Sequence, residues 1–329
     1  MSFSESMQRR WYEDRPPPWW TSPIAALYGA ATRIRRALYR RGWLRSERLP
    51  VPVIVVGNIT IGGAGKTPLV IAMVEALRAR GFKPGVVSRG YGGSANAPML
   101  INGNPDPRVT GDEPALIKLR TNAPVAIGRE RPAAARLLLD QEVDVIVADD
   151  GLQHYALARD IETCVIDGTR RFGNRRLLPS GPLREPLSRL REMDFTVCNG
   201  GQPQHDEIAM RLVAHDARNL RDGSSRALAK FANQRVHAIA GIGHPQRFFE
   251  TLRARGIDPV EHAIADHHAY TARDLEFNDT LPVLMTEKDA VKCRAFAKGN
   301  WWSVPVSAEL PERFFDAIAE RLRAEARER

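Results

Sequence analysis

One stretch near residue 60 has the residue types and spacing of a phosphate-binding loop. In such a loop, backbone N–H groups at a helix N-terminus surround the phosphates, a lysine reaches the terminal phosphates, and a hydroxyl can ligate Mg²⁺. The predicted phosphate-binding residues are Thr60, Ile61, Gly62, Gly63, Ala64, Gly65, Lys66 and Thr67. Thr60 stands where the usual pattern has glycine, so the alternative is a glycine-rich turn that only packs.

A second candidate group consists of two acids that follow a buried strand. The apolar run at residues 143–148 (VDVIVA) ends at Asp149 and Asp150. An acid delivered by such a strand holds the Mg²⁺ of P-loop NTPases, directly or through water. Because Lys66 and Thr67 supply the other half of the same site, the pattern favours metal ligands over a capped turn.

Two further groups are more ambiguous. Asp112 and Glu113 open a helical stretch in the sequence TGDEP, and acids at a helix N-terminus are also favoured as simple caps. The pair His267-His268 follows an aspartate, and a histidine oriented by a carboxylate can transfer protons. As a metal motif, Asp-His-His without a further ligand is weak.

The elements around these residues predict the fold class. A buried strand (residues 51–56) precedes the glycine loop and a helix (69–77) follows it, and strands and helices alternate through the rest of the chain. This order predicts an α/β fold with a P-loop NTPase-like three-layer α/β/α domain and a second, smaller α/β domain. The predicted division is an N-terminal amphipathic helix (1–48), a P-loop domain (49–198) and a second domain (199–329).

Composition limits the class of protein. A chain of 329 residues with 43% hydrophobic and 26% charged residues suggests about two ordinary globular domains. The three cysteines, Cys164, Cys198 and Cys293, are far apart in sequence, which predicts a reducing compartment rather than a disulfide framework. Neither a secretory signal nor a spanning run of about 20 apolar residues is expected.

The positive charge is concentrated at the N-terminal end. The net charge is +9, and the first fifty residues contain ten arginines, no lysine and four acids. A predicted helix there has an apolar stripe opposite arginines, with tryptophans at its ends, which is typical of a helix lying on an anionic membrane. The stripe consists of Ile24, Leu27, Tyr28, Ala31, Ile34 and Leu38. The alternative is a helix docked on its own domain; no nucleic-acid recognition motif is present.

Several motifs together identify a resemblance. In chain order they read GNITIGGAGKTP, SRGYGG, TGDEP, DDGLQH, LLPSGPLRE, DHHAY and TEKDAVK. This combination resembles the tetraacyldisaccharide 4′-kinase family of lipid A biosynthesis, from about residue 51 to residue 292. The resemblance implies two α/β/α domains joined by a β linker, with ATP bound between them. It also implies a Mg²⁺-dependent enzyme that phosphorylates the 4′-hydroxyl of a tetraacyldisaccharide 1-phosphate to give lipid IVA.

The resemblance also implies roles for particular residues. Residues 60–67 would bind ATP, with Thr60 part of the family's own pattern, and Lys66 would act on the transferred phosphate. Asp112 would be the base that takes the sugar hydroxyl proton, and His267 would pair with it as a dyad. The implied metal-site residues are Thr67, Glu113, Asp149 and Asp150. Since His267 belongs to the second domain, catalysis would depend on domain closure.

The same resemblance implies a peripheral protein at the cytoplasmic face of the bacterial inner membrane. Its partner there would be the lipid substrate, with no nucleic acid, and no protein partner can be inferred. Two rival hypotheses remain. One is a P-loop switch or metallochaperone GTPase whose His267-His268 pair carries metal, although Lys288 lies one place too late for a guanine-reading motif. The other is a soluble small-molecule kinase whose N-terminal helix packs on its own domain.

Overall fold

The computed structural model of the protein describes residues 10–13 and 15–328, so part of the predicted segment 1–48 lies outside the described residues. The helices are α1 (Thr21–Arg40), α2 (Lys66–Ala79), α3 (Pro107–Thr110), α4 (Asp112–Thr121), α5 (Arg131–Leu139), α6 (Pro245–Arg253), α7 (Glu287–Cys293) and α8 (Glu312–Glu328). The strands are β1 (Val53–Gly57), β2 (Pro84–Ser88), β3 (Met99–Leu100), β4 (Val125–Ile127), β5 (Val145–Asp149), β6 (Ile161–Asp167), β7 (Phe195–Asn199), β8 (Glu207–Val213), β9 (Asp216–Asn219), β10 (Ser225–Ala227), β11 (Arg235–Ala240), β12 (Asp258–Ala263), β13 (Val283–Thr286), β14 (Trp301–Val304) and β15 (Ser307–Glu309).

The larger sheet has the strand order β15-β8-β7-β6-β1-β5-β2-β4-β3. Its strands from β8 to β4 pair in parallel, whereas β15 and β3 pair antiparallel at the two edges. All five residues of β1 are buried, as expected for a central parallel strand covered on both faces.

Side chains of β1 alternate between two hydrophobic cores. Ile54 and Val56 pack with residues of α2, α4 and α8, whereas Val53 and Val55 pack with residues of α5. Because successive side chains of a strand point to opposite faces, the two cores lie on either side of the sheet. The result is a three-layer α/β/α domain, which is the predicted class.

The smaller sheet has the order β10-β9-β14-β13-β11-β12. Its four strands from β14 to β12 are parallel, and β9 and β10 extend it with antiparallel pairing. Alternate residues of β13 again enter two cores, Leu284 on one face and Met285 on the other. This second α/β unit contains the loop with His267 and the helix α7.

The expected domain boundary between residues 198 and 199 does not coincide with a break between the sheets. Strand β8 pairs with β7 on the larger sheet, and the chain returns at its C-terminal end to add β15 beside β8. Helix α8 then packs against the core that contains α2 through Phe314, Ile318 and Leu322. The sequence of these short strands does not predict that β15 pairs with β8, because long-range packing determines which strands pair.

Helix α1 lies on the larger domain through its small residues Thr21, Ala25 and Gly29. A Cβ atom at Gly29 would lie 2.7 Å from Leu177 Cδ1, so the absence of a side chain there permits the close approach. In the part of the chain that the structure describes, no helix combines the length and apolar character needed to span a membrane.

Candidate active site

The predicted phosphate loop connects β1 to the first residue of α2, Lys66. The buried Asn58 side chain donates to the carbonyl of Gly62 (3.3 Å) and accepts from Lys66 Nζ (3.3 Å). Gly65 has φ 96°, and a Cβ atom there would lie 2.4 Å from Asn199 Nδ2, so only glycine fits. These contacts fix the loop at the N-terminus of α2, where backbone N–H groups can bind phosphate oxygens.

Strand register brings the two predicted acids to this loop. Val56 of β1 lies beside Asp149 of β5 in the parallel pairing, so Asp149 reaches the same sheet edge as the loop. Asp150 follows with φ 48°, and its Oδ1 lies 3.5 Å from Lys66 Nζ. Arg184, which lies in the motif LLPSGPLRE but was given no role from the sequence, also contacts Asp150, with Nη1 3.2 Å from Oδ1.

Asp149 is almost fully buried beside two other acids. Its Oδ2 accepts a hydrogen bond from Ser88 Oγ (3.2 Å), but its Oδ1 has no hydrogen-bond partner among the described residues. Burial, followed by repulsion from Glu113 and Asp150, raises the pKa of Asp149 to about 7. A divalent cation would relieve this repulsion, and carboxylate oxygens are ligands that Mg²⁺ takes, so the residues fit that ion.

Asp112 begins α4 and is buried at the boundary between the domains. Its Oδ1 accepts the backbone N–H of Glu113 (3.0 Å), but Asp112 is the first helical residue and the N-cap position is Gly111, so this contact is not a capping hydrogen bond. Its Oδ2 lies 3.1 Å from His267 Nδ1, and because a carboxylate only accepts, Nδ1 is the donor. Asp112 therefore lies in the first turn of the helix, where the dipole favours an acid, and also contacts His267, but it does not cap the helix.

The charges around this dyad are mutually stabilising. Burial would raise the pKa of Asp112, but the hydrogen bond from His267 and the charges of Lys288 and Lys292 lower it overall. The hydrogen bond to Asp112 raises the pKa of His267 against the opposing effect of burial. The ring of Tyr91, from the glycine-rich RGYGG loop, lies edge-on to the His267 ring at 4.9 Å.

Sequence reasoning missed the cations that α7 adds to the site. Lys288 Nζ lies 2.9 Å from Glu113 Oε1, and Lys292 Nζ lies 3.9 Å from Asp112 Oδ2. Glu287, the residue before Lys288, makes an ion pair with Arg120 of α4, with 2.6 Å between Oε2 and Nη1. Both lysines belong to the motif TEKDAVK, and their spacing of four residues after a strand places them on one helix face, which was the available signal.

A loop of the smaller domain and the helix that follows it contact the larger domain near the phosphate loop. A Cβ atom at Gly243 would lie 3.3 Å from the backbone N of Gly63. Arg247 of α6 contacts Asp167 at the end of β6, with 2.6 Å between Nη2 and Oδ1. The two domains are therefore in contact here, and Asp112, His267 and Lys292 line a cleft of about 590 Å³.

The two adjacent histidines do not share a site. His267 contacts Asp112, whereas His268 Nε2 lies 3.5 Å from Asp274 Oδ2 at the surface. Within residues 10–13 and 15–328, no three histidine, cysteine, aspartate or glutamate side chains converge to hold a metal ion alone. Mg²⁺ bound to nucleotide usually keeps waters and phosphate oxygens as ligands beside one or two carboxylates, which the set described above can supply.

Helix α1 is connected to the same site and is apolar on its outer side. Tyr28 Oη donates to the carbonyl of Arg184 (3.0 Å), the residue that contacts Asp150. The exposed fractions of Leu27 and Ile34 are 72% and 60%, and several neighbouring apolar side chains are also exposed. These neighbours are Trp19, Trp20, Ile24, Trp43 and Leu44. The helix therefore packs on its domain and also presents an apolar surface beside the site.

The chain is similar to a known protein family over most of its length. Residues 18–323 match the family model LpxK, described as tetraacyldisaccharide-1-P 4′-kinase. The chain is 54% identical to a tetraacyldisaccharide 4′-kinase of Stenotrophomonas maltophilia, over 95% of each chain. It is 47% identical to one of Nitrosococcus oceani, covering 99% of this chain and 97% of that one.

A solved structure is also similar. It is a crystal structure of LpxK from Aquifex aeolicus, described as an "apo" form in complex with ATP. It superposes with a TM-score of 0.76 at 27% identity, covering 91% of this chain and 98% of that one. The predicted fold class and the predicted resemblance are thereby confirmed, and the chain belongs to the tetraacyldisaccharide-1-P 4′-kinase (LpxK) family.

Proposed function

We propose that this protein transfers the γ-phosphate of ATP to the 4′-hydroxyl of a tetraacyldisaccharide 1-phosphate, forming lipid IVA in lipid A biosynthesis. Family membership supports the activity. The observation that carries the site assignment is the contact between Asp112 and His267 across two domains. Glu113 follows Asp112 in the chain, and its charge raises the pKa of Asp149. Asp149 ends the strand that lies beside the phosphate loop, so the dyad and the loop belong to one site.

In the proposed reaction, Asp112 accepts the proton of the sugar 4′-hydroxyl. The oxygen of that hydroxyl forms the new bond to the γ-phosphorus. The bond from that phosphorus to the β–γ bridging oxygen breaks, and ADP leaves. Phosphoryl transfer requires mainly positioning and charge neutralisation, so a modest base is sufficient. His267 keeps the carboxylate oriented through Oδ2, and Lys66 neutralises charge on the transferred phosphate.

The ion that we assign to this site is Mg²⁺. Thr67, Asp149 and Asp150 would hold it, with Glu113 as a further acid, and the bound ion would neutralise phosphate charge. Asp150 already contacts both Lys66 and Arg184, so its carboxylate also keeps two cations near the phosphate loop. The fold contributes to this site by placing Asp149 and Asp150 at the same edge of the sheet as the phosphate loop.

We further propose that α1 holds the protein on the cytoplasmic face of the bacterial inner membrane as a peripheral protein. The support is the exposed apolar surface of α1 and the arginine-rich composition of the segment. A substrate with four acyl chains then need not leave the bilayer to reach the cleft. We propose a division into an N-terminal membrane-surface helix (residues 1–48), a P-loop kinase domain (49–198) and a second domain (199–329). Of the second part, β8 and β15 belong to the larger sheet and α8 packs on its core.

The test is a phosphate-transfer assay with γ-³²P-labelled nucleotide and the protein in mixed micelles. Tetraacyldisaccharide 1-phosphate is offered in parallel with glucosamine, and ATP in parallel with GTP. We expect label only in the lipid and only from ATP. Label in glucosamine at an equal rate would favour the small-molecule kinase, and GTP hydrolysis without transfer would favour the switch GTPase.

A further inference from the structure

Lys292 is a buried cation that the reaction described above does not use. It lies on α7 of the smaller domain with a side chain that is 10% exposed. Its Nζ lies 3.9 Å from Asp112 Oδ2 and 3.1 Å from Asp289 Oδ1, and 5.0 Å from the centroid of the Tyr270 ring. Burying an ammonium group is unfavourable unless it is paired, and here the ion pair with Asp289 holds it within 3.9 Å of Asp112.

Asp289 fixes where that ammonium group sits. It is fully buried and accepts hydrogen bonds from the Gly241 N–H (2.8 Å), Thr286 Oγ1 (2.6 Å) and Tyr270 Oη (3.0 Å). These donors come from the loop after β11, the end of β13 and the loop after His268. Lys292 is therefore anchored to the framework of the smaller domain, not to a single flexible side chain.

Asp112, in contrast, has little support from its own domain. Among the described residues, its Oδ1 accepts the backbone N–H of the next residue, whereas His267 Nδ1 and Lys292 Nζ, which lie near Oδ2, come from the smaller domain. His267 alone fixes one direction of approach to Oδ2. A second group at a different angle would define the orientation of the carboxylate plane.

We propose that Lys292 is a positioning residue for the phosphoryl-transfer step, which orients the Asp112 carboxylate together with His267 when the two domains meet. The inference rests on the proposed role of Asp112 as the base. Lys292 Nζ carries three donors, and besides its ion pair with Asp289 it makes no contact of hydrogen-bond geometry with any described residue, so a donor remains for Asp112. Closing the 3.9 Å separation would direct one of them to Oδ2.

The first experiment replaces Lys292 with methionine, which keeps most of the volume and removes the charge. We expect kcat to fall by about 100-fold, as for a misplaced catalytic group, while KM for the lipid and the Kd for ATP change by less than about threefold. Lys298→Met, which removes an exposed lysine of the same domain, should leave all three values unchanged. A normal kcat for Lys292→Met overturns the inference.

The second experiment separates positioning from a structural role by chemical rescue. In Lys292→Ala the truncated side chain leaves room at the wall of the 590 Å³ cleft, so a small primary ammonium ion can enter. We expect n-propylammonium chloride to restore kcat at least tenfold, and tetramethylammonium chloride at equal ionic strength to restore none. Absence of rescue in a variant with the parental Tm overturns the inference.

A double variant distinguishes this inference from the proposed function. If Lys292 acts through Asp112, adding Lys292→Met to Asp112→Ala should not lower kcat further, because coupled residues are not additive. An additional tenfold loss would overturn the inference alone. Full turnover by Asp112→Ala would instead overturn the proposed base, whatever the Lys292 variants do.

Discussion

The Nδ1 atom of His267 lies 3.1 Å from Oδ2 of Asp112, so a loop of the smaller domain completes the dyad on the larger one. His267 adopts φ 61°, a backbone region that non-glycine residues rarely occupy, and the chain turns sharply there. The contact exists only while the domains are together. Binding and chemistry should therefore respond differently to its loss.

Replacing His267 with alanine should lower kcat by about 10²-fold or more, because Asp112 loses the hydrogen bond that orients it and a misplaced catalytic group costs about that much. The affinity for ATP should stay within about threefold, because the phosphate loop is formed by β1, α2 and Asn199 of the larger domain. Steady-state kinetics and equilibrium ATP binding measure the two quantities. His268→Ala is the matched control, since His268 faces Asp274 at the surface; an equal loss there would contradict the assignment.

The dyad also predicts a pH dependence of stability. The pKa of His267 is raised above its free value of about 6.5 by Asp112. Its pairing therefore stabilises the folded protein fully below that value, and the stabilisation is lost as the pH rises through the raised pKa. We expect Tm to fall between about pH 6 and pH 9 by more in the parent than in His267→Gln. Identical slopes in differential scanning calorimetry would contradict this.

How far the sequence predicted this arrangement depended on the range of the interaction. The loop at Lys66 and the acids Asp149 and Asp150 follow from local patterns, because a strand, a glycine turn and a helix dictate each other's geometry. The contact of Lys288 with Glu113 could not be read in this way. Its two residues are far apart in the chain, and only the packing of α7 against α4 brings them together.

The same limit explains the domain boundary. The short, partly polar strands β8 and β15 carry no signal that they pair with each other, and the amphipathic pattern of α8 shows that one face is buried but not against which sheet. The role of α1 was likewise open between membrane and domain packing. Small residues bury one side and large apolar residues remain outside, so both interpretations describe part of the helix.

Lys66→Met should reduce kcat by about 10²- to 10³-fold, the range found when one charge-stabilising group at a transferring centre is removed. The ammonium group sits between Asn58 and Asp150, and it is the cation that the loop itself carries to the phosphates. Lys83→Met, at an exposed lysine that pairs with the exposed Glu142, is the control. Near-normal turnover by Lys66→Met would mean that the loop binds something other than the reacting phosphate.

Asp149→Asn should raise the Mg²⁺ concentration needed for half-maximal activity by about tenfold or more. The pKa of Asp149 is about 7 because of burial and the neighbouring acids, and an ion must displace its proton. In the parent, the apparent Mg²⁺ affinity should therefore increase from about pH 6 to about pH 8, and in the variant this increase should be smaller. Mg²⁺ titrations at three pH values measure both effects. Asp140→Asn, exposed at the end of α5, is the control; an unchanged titration for Asp149→Asn would exclude it as a ligand.

Placing one charge on the outer surface of α1 should release the protein from membranes without unfolding it. Leu27 is 72% exposed and Ile34 is 60% exposed, so Leu27→Asp and Ile34→Asp remove no core contact and should change Tm by no more than about 1–2 °C. Burying a charged carboxylate at the acyl boundary is unfavourable, so the fraction that floats with anionic liposomes should fall at least fivefold. Ala26→Asp, exposed towards the arginine side of the same helix, adds the same charge away from the apolar surface. Equal loss of flotation for Ala26→Asp would show that the arginines, and not the apolar surface, hold the protein on the bilayer.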